Sequence, residues 1–192
     1  MERTDEDLMN DKKASRKEVA QIIFKRYKIR IFGFCLRMLG NRADAEEVAG
    51  EVFLALLVNR YRDDAKTKFS TWLFTIARNQ CVSRLRKRKT ELSLWRVSEK
   101  NGEEEPWDLP DHKEALSETL NKQEISAYIR KLMDKLPEEQ KEAIVLQHYD
   151  GFSYEEISRI LDCSLDKVKI LIFRGKEKLR VELKAFLKEE KR

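Results

Sequence analysis

The chain has 192 residues, a formal net charge of +5, and 39% charged residues against 41% hydrophobic ones. That balance excludes a disordered polyelectrolyte, and the length allows one ordinary domain or two small ones. Six Gly and three Pro leave little punctuation for β-hairpins, so the sequence predicts an all-α fold with long amphipathic segments. Cys35, Cys81 and Cys163 are scattered, without CxxC or Cys/His pairing, which argues against a metal or disulfide framework and for thiols in a reducing cytoplasm. No apolar run reaches membrane length, so neither a secretory signal nor an anchor is expected.

Residues 1–15 are polar and read as a disordered, frayed arm. From about Lys17 to Leu39, Val19, Ile22, Ile23, Tyr27, Ile31, Phe34, Cys35 and Met38 keep helical spacing, and Gly40-Asn41 stops the pattern. A second helix follows, with Asp44 and Glu47 spaced as a capping box. It turns Ala45, Val48, Ala49, Val52, Phe53 and Leu56 inward and leaves Glu46, Glu47 and Glu51 as an acidic ridge. Such a ridge is commonly just a solvated face.

The stretch Lys66–Lys89 then holds eight Lys or Arg and no acid, behind the aromatic residues Phe69, Trp72 and Phe74. Phe69-Ser70 reads as a helix start, with Ser70 as N-cap and Phe69 stapled against Phe74. Leu73, Ala77, Cys81 and Leu85 form its buried stripe, while Trp72, Thr75, Asn79, Ser83 and Arg86 share another face. Duplex DNA asks mainly for cations, whereas separated bases also ask for flat π surfaces. A core helix with a solvated basic end gives the same pattern, and composition alone does not choose.

Between Glu99 and Glu118 there are eight acids against two bases, with Gly102, Pro106 and Pro110, so residues 93–121 read as an acidic linker. Trp95 and Trp107 are unusual in a pure spacer. Helical spacing returns from Ile125 to Leu136, and Pro137 suits the first turn of the next helix, which stops at Gly151. Ser153-Tyr-Glu-Glu156 is a capping box opening a short helix over Ile157, Ile160 and Leu161. After Asp162-Cys163-Ser164 comes another helix, with Val168, Leu171, Ile172 and Leu179 inside. Two capped helices joined by so tight a turn match helix-turn-helix spacing, and cations on the outer face favour DNA over a bland helical hairpin.

LGNRADAEEVAGEVFLALL (39–57) leading to KFSTWLFTIARNQCVSRLRKRK (68–89) resembles the promoter-melting domain of bacterial sigma factors. LPEEQKEAIVLQHYDGFSYEEISRILDCSLDKVKILIFRGKEKLR (136–180) resembles their C-terminal helix-turn-helix domain. With only these two parts and a short linker, the chain is most similar to the extracytoplasmic-function, or group IV, sigma factors. The resemblance implies a first domain over residues 16–92 and a second over 122–192. It implies that Asp44, Glu46, Glu47, Glu51 and Phe53 dock on the β′ coiled-coil of core RNA polymerase, and that the second domain holds the β flap. In the −10 element Asn79 would read bases and Trp72 flank the point of strand separation. Lys66, Lys68, Arg84, Arg86, Lys87 and Arg88 would grip the DNA there, and the loop from Tyr61 to Lys68 would capture an extruded base. Lys167, Lys169, Ile170, Phe173 and Arg174 would face the −35 major groove.

Two departures from the family pattern stand out. Ser83 replaces a common Asp, and Ile170-Leu171 replaces a Ser-Arg pair, which removes a polar contact from the −35 helix. The implied partners are core polymerase, promoter DNA and an anti-sigma factor. No cofactor or metal and no membrane insertion are expected, and the free chain is expected to be a monomer. A free-standing helix-turn-helix regulator is the alternative, but a duplex reader has no need of a stacking platform. An enzyme is disfavoured because His112 and His148 lack partners at ligand or triad spacing, and no phosphate-cradling glycine loop exists.

Overall fold

A computed structural model describes residues 3–11, 13–58, 61, 67–95 and 119–189. Among the described residues there are eight α-helices and no strand, and no helix is long and apolar enough to cross a membrane. The first half holds α1 (Asp5–Asn10), α2 (Arg16–Leu39), α3 (Arg42–Val58) and α4 (Phe69–Trp95). The second holds α5 (Thr119–Asp134), α6 (Glu138–Ile144), α7 (Tyr154–Leu161) and α8 (Leu165–Glu189). A single widened turn over Val145–Tyr149 follows α6 and closes with Asp150 N–H donating to the Val145 carbonyl at 3.3 Å. The interval expected to be a linker falls outside the described residues, apart from 93–95 at the end of α4 and 119–121 at the start of α5.

Local chemistry sets the helix ends. Ser15 and Glu18 cap α2 reciprocally, and Gly40 ends it at φ 69°, a left-handed conformation that a residue without Cβ adopts without strain. The next helix begins two residues before the expected cap: Asp44 N–H donates to Asn41 Oδ1 at 2.9 Å, so Asn41 does the work expected of Asp44. The N-terminal arm also departs from expectation. Thr4 and Asp7 form a capping box for α1, and Leu8 is buried.

That short helix explains why α4 starts where it does. Glu6 Oε1 accepts from the Phe69 N–H at 2.8 Å, so a carboxylate from α1 caps a helix that Ser70 was expected to cap. Ser70 lies inside the first turn. Phe69 packs on Tyr27, Tyr61 and Trp72, whereas Phe74 packs on Phe34 and Phe152. Leu73, Ala77 and Cys81 are fully buried, as the period-four stripe requires.

Tyr27 fastens α1 to this bundle. Its hydroxyl donates to Asp5 Oδ2 at 2.5 Å, and Arg26 Nη1 meets the other Asp5 oxygen at 2.5 Å. Burial, then the Asp5 carboxylate, push the Tyr27 phenol above its ordinary pKa, so it stays a donor. Tyr27→Phe should cost about 1.5–3 kcal/mol, the net value of a hydrogen bond to a charged group. Amide hydrogen exchange over residues 5–10 should accelerate more than over α2.

Candidate nucleic-acid interface

One side of α4 is anchored and the other is open. Trp72 is half-buried with its ring centroid 5.6 Å from both Tyr61 and Phe69, so it extends an aromatic wall rather than standing free. Asn79, Ser83, Arg86 and Lys87 are exposed along the same helix. Arg88 is half-buried and reaches back to the Leu39 carbonyl at 3.5 Å. Lys66 lies outside the described residues.

The expected cations are not equally available. Lys68 Nζ is 2.9 Å from Glu156 Oε1 in the second half. Arg84 Nη1 is 3.1 Å from Asp44 Oδ1 and its Nη2 is 2.5 Å from Glu47 Oε1. The hydrogen bond from Arg84 holds the Glu47 carboxyl below the ordinary range. Arg84 therefore ties the basic helix to the acidic one. Glu46 pairs with Arg42 at 2.9 Å, and Glu51 is exposed. Phe53 is half-buried, edge-on to Phe24 with centroids 4.9 Å apart, on the outside of the α2–α3 hairpin.

In the second half the helix-turn-helix forms as its spacing requires. Ser153 and Glu156 cap α7 reciprocally, Asp162 turns the chain at φ 52°, and Ser164 Oγ accepts from Lys167 N–H at 3.2 Å to start α8. Gly175 brings α8 close to α6, since a Cβ there would lie 2.5 Å from Ile144 Cδ1. Lys167, Lys169, Ile170, Phe173 and Arg174 all face solvent, Phe173 at 68% exposure. Lys167 leans on Glu139 at 2.7 Å and Lys169 on Asp166 at 3.0 Å, both exposed pairs that a polyanion can displace. Leu171 is buried, whereas its neighbour Ile170 is exposed on the outer side of α8.

Several residues that matter here carry no local signal. Arg78 of α4 sits 3.1 Å from Glu142 of α6, 64 residues away, and Glu142 is 1% exposed. Arg30 of α2 donates to the Asp150 carbonyl at 2.9 Å, and Phe74 meets Phe152 edge-on at 4.8 Å. These contacts join the two halves, and neither periodicity nor capping points to a partner so far along the chain.

The chain matches the family model for Sigma-70 region 2 over residues 23–91 and that for Sigma-70, region 4 over residues 126–179. It is 36% identical to the ECF RNA polymerase sigma factor SigW of Bacillus subtilis, over 82% of this chain and 85% of that one. It is 26% identical to the RNA polymerase sigma-H factor of Pseudomonas aeruginosa, over 96% of each. Its fold is similar to that of the sigma factor RpoE from Bartonella quintana, solved in complex with the anti-sigma factor NepR. The TM-score is 0.69 and the identity 23%, over 86% of this chain and 96% of that one. CnrH, solved in complex with the cytosolic domain of CnrY, gives a TM-score of 0.60 at 22% identity, over 88% and 90%.

Two buried carboxylates make this arrangement sensitive to protons. Burial pushes the Asp150 carboxyl up to about 7 against the pull of Arg30 and Arg37, and its Oδ2 finds no hydrogen-bond partner among the described residues. Burial raises Glu142 too, with Arg78 opposing. Unfolding returns Asp150 to the ordinary range, so between pH about 4 and about 7 the folded chain holds more protons and loses stability as pH rises. Asp150→Asn should remove a loss on the order of 2–4 kcal/mol across that window. Urea midpoints at about pH 5.5 and about pH 8 should lie closer together in the variant than in wild type.

Proposed function

The chain belongs to the extracytoplasmic-function sigma factors of bacterial RNA polymerase, and we propose how its two helical halves divide that work. Such a factor binds core RNA polymerase and directs promoter-specific transcription initiation. The observation that carries the division is the pairing, in one chain, of a basic helix with an aromatic wall and a helix-turn-helix with an open cationic face. Each lies within one of the two matched segments.

On this reading residues 16–92 form the domain that opens the −10 element, residues 93–121 link, and residues 122–192 read the −35 element. Asn79 contacts a base, Arg86 and Lys87 take phosphates, and Tyr61, Phe69 and Trp72 form a wall beside the separated strand. Extruding a base costs a few kcal/mol of stacking, which an aromatic surface offsets at about 1–3 kcal/mol per base. Arg84 orients α4 on α3 instead of gripping DNA, and Lys66, Lys68 and Arg88 supply further positive charge near the strand. Lys167, Lys169 and Arg174 hold the −35 backbone and base edges. Ile170 and Phe173 offer apolar contact of the kind a thymine methyl takes.

Asp44, Glu46, Glu47 and Glu51, with Phe53 beside them, form the docking ridge for the polymerase β′ coiled-coil, and the second domain meets the β flap. The exposure of Glu46, Glu47 and Glu51 supports this. An anti-sigma partner is proposed from the likeness to two sigma factors solved with such partners. The factor acts in the cytoplasm, as a monomer until polymerase takes it, and supplies no catalytic group of its own. Phosphoryl chemistry belongs to the polymerase.

Run-off transcription with core polymerase on genomic fragments tests the whole reading: defined start sites should appear only when the protein is added. Finer roles are read from salt. For duplex promoter binding, Arg86→Ala should lower the slope of log affinity against log salt by about 0.9, the loss of one phosphate contact. Arg84→Ala should leave that slope unchanged.

A further inference from the structure

The first matched segment begins at residue 23, so α1 stands ahead of it, yet α1 touches the corner from which the helix assigned to DNA opening starts. Its ties are spread along its length. Asp5 takes Arg26 on one oxygen and the Tyr27 hydroxyl on the other, each at 2.5 Å. Arg26 also donates to the Arg3 carbonyl at 3.1 Å. Glu6 Oε1 accepts the Phe69 N–H at 2.8 Å. Leu8 is buried and, with Met9, lines a cleft shared with Val19, Leu56 and Tyr61.

Phe69 needs that remote carboxylate. The first N–H groups of a helix have no partner within it, and a residue as deeply buried as Phe69 gets no help from water. Lys68, directly before α4, has only donors on its side chain and no acceptor to offer. Glu6 fills the gap, and its charge also suits the positive end of α4.

What the cap steadies is the ring that a strand can reach. Phe69 is fully buried and Tyr61 is 6% exposed, so of the three rings in the aromatic wall only Trp72 stays partly open. Trp72 sits in the first turn of α4. Its N–H donates to the Lys68 carbonyl at 3.2 Å, and its ring centroid stands 5.6 Å from those of Phe69 and Tyr61. Fraying of that turn would release the bond and tilt the ring.

An acidic helix beside a nucleic-acid site would ordinarily repel phosphate. Here the acids are engaged: Asp5 by Arg26, Glu6 by α4, Asp7 in the capping box with Thr4, and Asp11 by Arg3 at 2.8 Å. The arm therefore adds rigidity to the corner with little free negative charge.

We propose that α1 belongs to the strand-opening site and that Glu6 is its positioning residue: by capping α4 it sets the first turn, and through that turn the Trp72 ring that meets an unstacked base. The proposal rests on the assignment of α4 to the −10 element. It gives residues 5–10 a part in promoter opening that is separate from duplex recognition by α8.

Holoenzyme built from the full chain and core polymerase, on a duplex promoter fragment located by run-off transcription, tests it. Permanganate oxidation of unpaired thymines reads strand opening, and retention on the fragment in the cold, before opening, reads duplex binding. Glu6→Ala should lower the opened fraction about fivefold, the size of one lost helix cap, with core binding and duplex retention as in wild type. Glu6→Gln keeps an amide oxygen that accepts the Phe69 N–H and should restore opening. Asp5→Ala loosens α1 from α2 without touching α4 and should lower opening in the same direction, so it carries the test should Glu6→Ala fail to fold. Opening equal to wild type in whichever of these two alanine variants folds overturns the proposal. So does a loss that falls equally on core binding and duplex retention, the mark of a chain merely less folded. Trp72→Ala separates the proposal from the assignment beneath it. Normal opening by that variant removes α4 from the −10 element and the proposal with it. Defective opening by Trp72→Ala beside normal opening by Glu6→Ala overturns the role of Glu6 alone.

Discussion

Phe74 is where the packing of both halves is decided. Its ring meets Phe34 of α2 with centroids 5.5 Å apart and Phe152 of the second half at 4.8 Å, edge-on in each case. The Arg30 guanidinium lies 5.1 Å from its centroid. Edge-to-face rings add about 0.5–1.5 kcal/mol to what burial alone gives, and a cation over a ring adds more. With Phe74 fully buried, α4 does not turn about its axis without losing these contacts together. The outward aim of Asn79, Ser83 and Arg86 follows from that one anchored ring.

Charge is distributed to the same end. The stretch from Lys66 to Lys89 is uniformly basic, yet the fold sorts its cations into distinct uses. Arg84 is held by the acids of α3 and fixes the crossing of the two helices. Lys68, Arg78 and Lys89 face acids of the second half. Arg86 and Lys87 remain turned to solvent. A count of positive charges thus overstates what a nucleic acid meets first.

How much of this was legible beforehand depended on the range of the interactions. The span of α2, its stop at Gly40, the stripe through Leu73, Ala77 and Cys81, and the Ser153–Glu156 cap all follow from spacing within one or two turns. The start of α4 did not, because its cap is a carboxylate 63 residues upstream. Ser70 satisfied the local rule and lost to a tertiary one. The first helix was there to be read, since Thr4 and Asp7 keep capping-box spacing, but so few apolar residues follow that composition argued for a frayed arm. At Leu171 the sequence already put the side chain inside, and it is buried there. The pairing of Arg78 with Glu142 had no local trace at all.

The role of Glu6 as the cap of α4 carries a practical corollary for handling the protein. Whatever is fused ahead of Met1 hangs only a few positions from the carboxylate that secures the aromatic corner of α4. Purification handles placed there, or residues left by their cleavage, belong among the variables of any binding comparison. A handle after Arg192 leaves that corner in its native chemistry.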